Sequence, residues 1–124
     1  MTASSYSSVY PPLDAPASGR PTPPRILSIA GSDPSGGAGM QADLKSIAAF
    51  GGYGMAAITA LTAQNTREVS AVHVPPAHFL RQQLEAISAD ITIDAVKIGM
   101  LGDAAVINEV RGLARRGASR RRDP

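Results

Sequence analysis

Residues 26–45 read ILSIAGSDPSGGAGMQADLK and are the most informative segment of the chain. A short apolar run is followed by a turn rich in glycine and then by an amphipathic run, which predicts a strand, a loop and a helix. The loop contains Gly31, Gly36, Gly37 and Gly39. Glycine is needed where a backbone turns sharply or comes close to a ligand. Because the N–H groups of such a loop and of the first helical turn lack partners, they are suited to bind an anion or a polar ligand.

Length and composition limit the possible classes of protein. With 124 residues, of which 44% are apolar, the chain fits one globular domain with a core of its own. No apolar run is long enough to span a bilayer, and the absence of cysteine excludes disulfides, thiolate catalysis and Cys-based zinc sites. We therefore expect a cytoplasmic protein. Residues 1–24 hold six of the ten prolines and are predicted to be a disordered leader, since they lack the pattern of a signal peptide.

The net charge of +2 hides an uneven distribution. Residues 25–110 carry five basic and eight acidic side chains, whereas residues 111–124 carry six arginines and one acid. An arginine-rich segment can bind the phosphates of nucleic acid. This one has no aromatic side chains for stacking on bases, so we expect a solvated tail and no nucleic-acid partner.

Apolar and amphipathic runs alternate along the rest of the chain. Strands separated by helices of this length indicate a doubly wound α/β fold, in which helices cover both faces of a mostly parallel sheet. The glycines at 51 and 52 are predicted to end the first helix, and the third strand is expected near an edge. The predicted strands are residues 26–30, 55–62, 69–74 and 95–100, and the predicted helices are residues 40–50, 79–87 and 104–114.

Ligands of such sheets bind at the carboxyl ends of the strands, which directs attention to polar residues in the following loops. Asp43 lies in the first turns of the first helix, where the helix dipole stabilises a carboxylate that points back toward the loop. Gln64 follows the second strand and can donate and accept at once, which suits the edge of an aminopyrimidine. On spacing alone a second interpretation stays open, in which Asp43 starts the helix and Gln64 with Asn65 makes a turn.

Two general nucleotide motifs fit the loop poorly. It lacks the Lys-Ser/Thr pair that ends a Walker A loop. Gly37, Gly39 and Ala42 satisfy the G-x-G-x-x-A form of the dinucleotide fingerprint. However, Gln64 and Asn65 stand where that fingerprint expects an acidic residue.

Lys97 and two methionines lie in apolar runs, and their burial can be predicted from this position. A lysine in a buried strand requires a partner, and we predict a structural ion pair of Lys97 with Asp33 or Asp94 rather than a contact with phosphate. Met55 and Met100 are predicted to be core residues by default, because their surroundings in the sequence are apolar.

The exact amino-acid sequences of two segments are more specific than any general motif. IAGSDPSGGAGMQADLKSIAAFGGYGMAAITALTAQNT, with the later IDAVKIGML, resembles the hydroxymethylpyrimidine and phosphomethylpyrimidine kinases of thiamine biosynthesis, in the ribokinase-like superfamily. The resemblance covers residues 25–110 and implies the N-terminal half of a kinase domain. It implies phosphorylation of 4-amino-5-hydroxymethyl-2-methylpyrimidine and then of its monophosphate, with ATP and Mg²⁺ as cofactors. A pyridoxal-type kinase shares the fold and is the alternative within this class.

Carried over by position, the resemblance implies five residues around the substrate. Gln64 would hydrogen-bond the pyrimidine ring and its amino group, and Asp43 would hold the polar substituent. Met100 would pack on the ring, with Gly31 and Thr62 beside it. The family's catalytic residues and ATP site lie in its C-terminal half, so no catalytic or metal-binding residue is expected in this chain.

The last part of the chain departs from the family pattern. Residues 111–124 are expected to be the end of the last helix and an aberrant arginine-rich tail, because three consecutive arginines cannot form a central strand. A shifted reading frame or a truncated gene would explain such an ending. A second hypothesis is therefore a non-catalytic fragment. The expected partner is a small pyrimidine, without a membrane, and the full-length family leaves a homodimer open.

Overall fold

The computed structural model describes residues 22–120, and in them the predicted alternation of strands and helices is confirmed. The predicted leader falls outside the described residues except for residues 22–24, as do the last four residues of the tail. The strands are β1 (Arg25–Ala30), β2 (Tyr53–Ile58), β3 (Leu61–Gln64), β4 (Val69–His73) and β5 (Ala95–Ile98), and the helices are α1 (Gly39–Ala49), α2 (Ala77–Asp90) and α3 (Ala104–Arg120).

β1 is the centre of a parallel sheet with the strand order β2-β1-β5. Successive side chains of a strand point to opposite faces. Leu27 and Ile29 contribute to a core with α2 and α3, whereas Ser28 between them hydrogen-bonds Asp43 of α1. Helices therefore cover both faces of β1, which explains its nearly continuous apolar sequence and confirms the doubly wound α/β fold.

The hydrophobic core fills the space between the sheet and the pair of helices α2 and α3. The predicted burial of Met55 is confirmed. The same prediction for Met100 is wrong: it is 85% exposed because it follows β5 in a surface loop. The core consists of Leu27, Ile29, Met55, Ala57, Leu80, Leu84, Val106 and Val110.

The strand predicted at residues 55–62 is in fact two strands that belong to different sheets. β2 stays in the parallel sheet, whereas β3 pairs with β4 in a separate antiparallel sheet. The N–H of Thr59 donates to the oxygen of Ala30, and the oxygen of Ala60 accepts from the N–H of Ser32. These bonds tie the chain to the loop after β1 and lead it out of the sheet. β4 therefore lies outside the main sheet rather than near its edge.

Helix ends agree with the sequence at α1 but not at α3. Gly51 ends α1 with a φ of +80°, and its N–H donates to the oxygen of Ala48, as expected for a helix-terminating glycine. α3 continues to Arg120, beyond the predicted end at residue 114, because arginine and alanine favour helix. Among residues 22–120, no helix is long and apolar enough to cross a membrane.

The two edge strands of the parallel sheet differ in whether a side chain takes up their free backbone groups. The amide of Gln83, on α2, accepts from the N–H of Ile58 at 2.8 Å and donates to the oxygen of the same residue at 3.0 Å. A neighbouring strand would make the same two kinds of hydrogen bond. At the other edge, β5 pairs with β1 alone among the described strands, and all four of its residues are exposed.

Replacing Gln83 should therefore destabilise the fold more than replacing its neighbour. Gln83→Ala leaves the partly buried N–H and oxygen of Ile58 without partners, and we expect a loss of about 1–2 kcal/mol in the free energy of unfolding. Gln82→Ala, at an exposed position of the same helix, is the control and should change little. Urea unfolding followed by circular dichroism measures both. Equal stability of the two variants would contradict the role assigned to Gln83.

Candidate functional site

The glycine-rich loop is organised around the buried carboxylate of Asp33. Oδ1 accepts from the N–H and the hydroxyl of Ser35 at 2.9 and 2.7 Å. Oδ2 accepts from the N–H groups of Gly37 and Ala38 at 3.1 and 2.8 Å. A carboxylate offers about four acceptor positions, so Asp33 is fully used. Three loop N–H groups that we expected to bind a ligand therefore donate to Asp33 of the protein itself.

These hydrogen bonds also set the charge state of Asp33. The hydrogen bond from the Ser35 hydroxyl is the largest influence, and together with the loop N–H groups it outweighs burial. The pKa of Asp33 is therefore held below its ordinary value. Asp33 is an ionised structural residue.

The loop returns tightly into α1 at Gly39. This residue has a φ of +58°, and a Cβ there would lie 2.5 Å from the oxygen of Gly31. The same oxygen accepts from the N–H of Met40 at 2.9 Å. In addition, Oε1 of Gln41 accepts from the N–H of Asp33 at 2.8 Å. The start of α1 is thereby held against the end of β1.

Asp43, farther along α1, lies over the centre of the sheet. Its Oδ2 accepts from Oγ of Ser28 at 2.7 Å and from Nζ of Lys97 at 2.8 Å. Its Oδ1 accepts from the same Nζ at 2.9 Å. Burial raises the pKa of Asp43, but the hydrogen bonds from Lys97 and Ser28 and the charge of Lys97 outweigh it, so this pKa lies below its ordinary value. Asp43 is therefore an ionised hydrogen-bond acceptor.

The ion pair predicted for Lys97 exists, but the predicted partners are wrong. Asp94 pairs with Arg25 at 3.1 Å, and Asp33 is occupied by its loop. Lys97 reaches Asp43 because it is the register partner of Ser28 in the neighbouring strand, which puts both side chains beneath α1. Sequence reasoning missed Ser28, although a hydroxyl within an apolar strand signals a polar partner on the facing element.

Thr62 and Gln64 lie on β3, against the loop after β1. The N–H of Thr62 donates to Oγ of Ser32 at 3.1 Å, and its hydroxyl donates to the oxygen of Ser32 at 2.8 Å. That hydroxyl also lies 3.1 Å from Oε1 of Gln64. Within residues 22–120, the amide NH₂ of Gln64 makes no hydrogen bond, so it is free to donate to a ligand.

Hydrogen bonds join the three loops at the carboxyl end of the parallel sheet. The hydroxyl of Thr59 donates to the oxygen of Met100 at 3.3 Å, and the N–H of Gly99 donates to the oxygen of Ile29 at 2.8 Å. Gly31 lies directly beside the chain after β2. In the part of the chain that is described, no group of three or more His, Cys, Asp or Glu side chains could hold a metal ion. The segments carrying the five predicted residues thus lie around this end of the sheet: Gly31, Asp43, Thr62, Gln64 and Met100.

Residues 33–121 match the family described as phosphomethylpyrimidine kinase. The chain belongs to this family. It is 63% identical over 92 residues to the thiamine biosynthesis multifunctional protein ThiED of Corynebacterium efficiens, a match that covers 74% of this chain and 12% of that protein. The crystal structure of phosphomethylpyrimidine kinase from Clostridium difficile is similar with a TM-score of 0.72 and 48% identity, over 75% of this chain and 40% of the other.

A pyridoxal kinase has the same fold. The structure from Staphylococcus aureus in complex with AMP-PCP and pyridoxal gives a TM-score of 0.68 and 39% identity, over 77% of this chain and 36% of that one. The family and the ribokinase-like fold recognised from sequence are therefore confirmed. This chain spans less than half the length of each of these relatives.

Removing the charge of Asp33 should weaken the loop in a pH-dependent way. Asp33→Asn places an NH₂ group against N–H donors, so its urea midpoint at neutral pH should fall below that of the parent chain. Because the folded state depresses the pKa of Asp33, its stabilising effect is full above the ordinary value of 3.8 and is lost as the pH falls through the folded value. The difference between the two urea midpoints should therefore shrink in acid. Asp90→Asn, at an exposed position of α2, is the control for the charge change.

Gly39 should tolerate a methyl group far less well than Gly51. Both residues have positive φ, so either change to alanine costs about 1 kcal/mol in backbone strain. Only at Gly39 does the Cβ also meet a backbone oxygen, whereas nothing lies within 4 Å of it at Gly51. We expect Gly39→Ala to lower the thermal midpoint clearly more than Gly51→Ala. The reverse order in differential scanning calorimetry would refute this account of the loop.

Proposed function

We propose that this chain is the acceptor-binding part of a hydroxymethylpyrimidine/phosphomethylpyrimidine kinase. Its ligand would be 4-amino-5-hydroxymethyl-2-methylpyrimidine, bound at the carboxyl ends of the parallel strands. The observation that carries the proposal is the ionised Asp43 over the sheet, together with the free NH₂ of Gln64 on β3, in a member of the family. The relatives named above are much longer than this chain, so membership of the family does not by itself establish that the chain catalyses the kinase reaction.

The side chains have the chemistry that this ligand requires. The amide of Gln64 can donate to a ring nitrogen and accept from the neighbouring amino group, which reads the edge of an aminopyrimidine. Asp43 can accept from the hydroxymethyl group because it is ionised. Met100 is exposed and can cover the face of the ring. Gly31 and Thr62 would complete the wall, with Thr62 held in place by Ser32.

Phosphoryl transfer needs the donor and the acceptor to be held in line, with charge stabilisation around the transferred group. ATP as the donor is supported by the relative that was solved with AMP-PCP. Among residues 22–120 there is no group of three or more His, Cys, Asp or Glu side chains that could hold a metal ion, and we assign no step through Mg²⁺ to this chain. A cytoplasmic location, the absence of nucleic-acid partners and a homodimer of the longer relatives stay predictions.

Two other functions make different predictions. A pyridoxal-type kinase is favoured by the 39% identity to the Staphylococcus aureus enzyme, and it would bind pyridoxal in preference to the pyrimidine. A non-catalytic fragment would hydrolyse no ATP in the presence of either alcohol. An ATP-consumption assay with each alcohol separates turnover from mere binding.

Binding of the pyrimidine to the purified chain tests the proposal directly. We expect saturable binding by isothermal titration calorimetry, with pyridoxal a weaker competitor. Gln64→Ala should weaken binding about tenfold or more, because it removes a paired donor and acceptor that face the ring. Gln82→Ala, on the exposed side of α2, should bind like the parent chain. No binding by the parent chain, or equal binding by both variants, would refute the site.

A further inference from the structure

The two carboxylates near the glycine-rich loop differ in how many hydrogen bonds they can still accept. Asp33 has four donors and is saturated. Asp43 has three, of which two are on Oδ2 and one is on Oδ1. Oδ1 of Asp43 therefore retains one acceptor position.

Lys97 supplies a donor beside that position. An ammonium group has three N–H bonds, and the two oxygens of Asp43 take two of them. The Lys97 side chain is 51% exposed, so the third N–H is open to a ligand. Gly99 follows in the chain, and an ideal Cβ there would lie only 3.5 Å from Nζ. The absence of a side chain at Gly99 leaves the space beside the ammonium group free.

An acceptor on Oδ1 and a donor on Nζ, 2.9 Å apart, match the two functions of an alcohol. A hydroxyl group can donate its proton to the carboxylate oxygen and accept from the ammonium group. A methyl group in the same place can do neither.

We propose that Asp43 and Lys97 form one binding unit for the substrate hydroxyl, with Ser28 as the positioning residue for the carboxylate. The hydroxyl donates to Oδ1 of Asp43 and accepts from Nζ of Lys97. The buried hydroxyl of Ser28 fixes Oδ2 from below, so that Oδ1 is the oxygen left for the ligand. This inference rests on the proposed function, and it adds Lys97 and Ser28 to the residues that determine specificity.

The test compares two ligands that differ in one hydroxyl group. The first is 4-amino-5-hydroxymethyl-2-methylpyrimidine, and the second is 4-amino-2,5-dimethylpyrimidine, which lacks the hydroxyl. Lys97→Met should weaken binding of the first ligand about tenfold and leave binding of the second within about twofold. Gln64→Ala should weaken both ligands, because it acts on the ring.

Arg25→Met is the matched control. It also breaks an ion pair, that of Arg25 with Asp94. This pair joins the beginning of β1 to the residue before β5, away from Lys97. It removes the same charge and should change neither affinity. If Lys97→Met does not fold by circular dichroism, Lys97→Gln takes its place, with the same preference for the hydroxyl ligand expected to fall.

Ser28→Ala tests the positioning role through a property that stability alone would not change. In this variant the pKa of Asp43, followed by NMR titration, should rise, and the affinity should fall for the hydroxyl ligand only. Equal losses for the two ligands in Lys97→Met, or no loss, would overturn the binding unit while the proposed function stands. Binding of neither ligand by the parent chain would overturn the proposed function, and the binding unit with it.

Discussion

The carboxylate of Asp33 is the interaction on which the rest of the site depends. It gathers the N–H groups of Gly37 and Ala38 and the side chain of Ser35 into one tight loop. The closed loop leads directly into α1, on which Asp43 accepts a hydrogen bond from Ser28 of the sheet. The carboxylate of Asp33 thus helps to position the carboxylate of Asp43.

The two aspartates consequently have separate tasks, although both are ionised. Asp33 faces four donors and has no capacity for a ligand. Asp43 is held by two side chains from the sheet and keeps one acceptor position on Oδ1. The glycine-rich loop, which by its composition looks made for phosphate, is here a scaffold. The carboxylate that can still accept a hydrogen bond from a ligand is that of Asp43, one helical turn after the loop.

Much of the fold could be predicted because it depends on local patterns. The spacing of Leu80 with Leu84 and of Val106 with Val110 marks the buried faces of two helices, and the rule for strand ends identifies the loops in which candidate residues are sought. What failed depends on contacts between distant residues. The break after β2 results from bonds to the loop after β1. The partner of Lys97 follows from its register with Ser28, which no sequence pattern specifies.

Gln83 has a consequence for how copies of this chain could associate. Its amide occupies the last residue of β2, so a strand from another molecule would have to displace it before pairing along that end. β5 is the edge at which another strand can add. Within residues 22–120, strand addition is therefore opposed at the end of β2 and unopposed along β5.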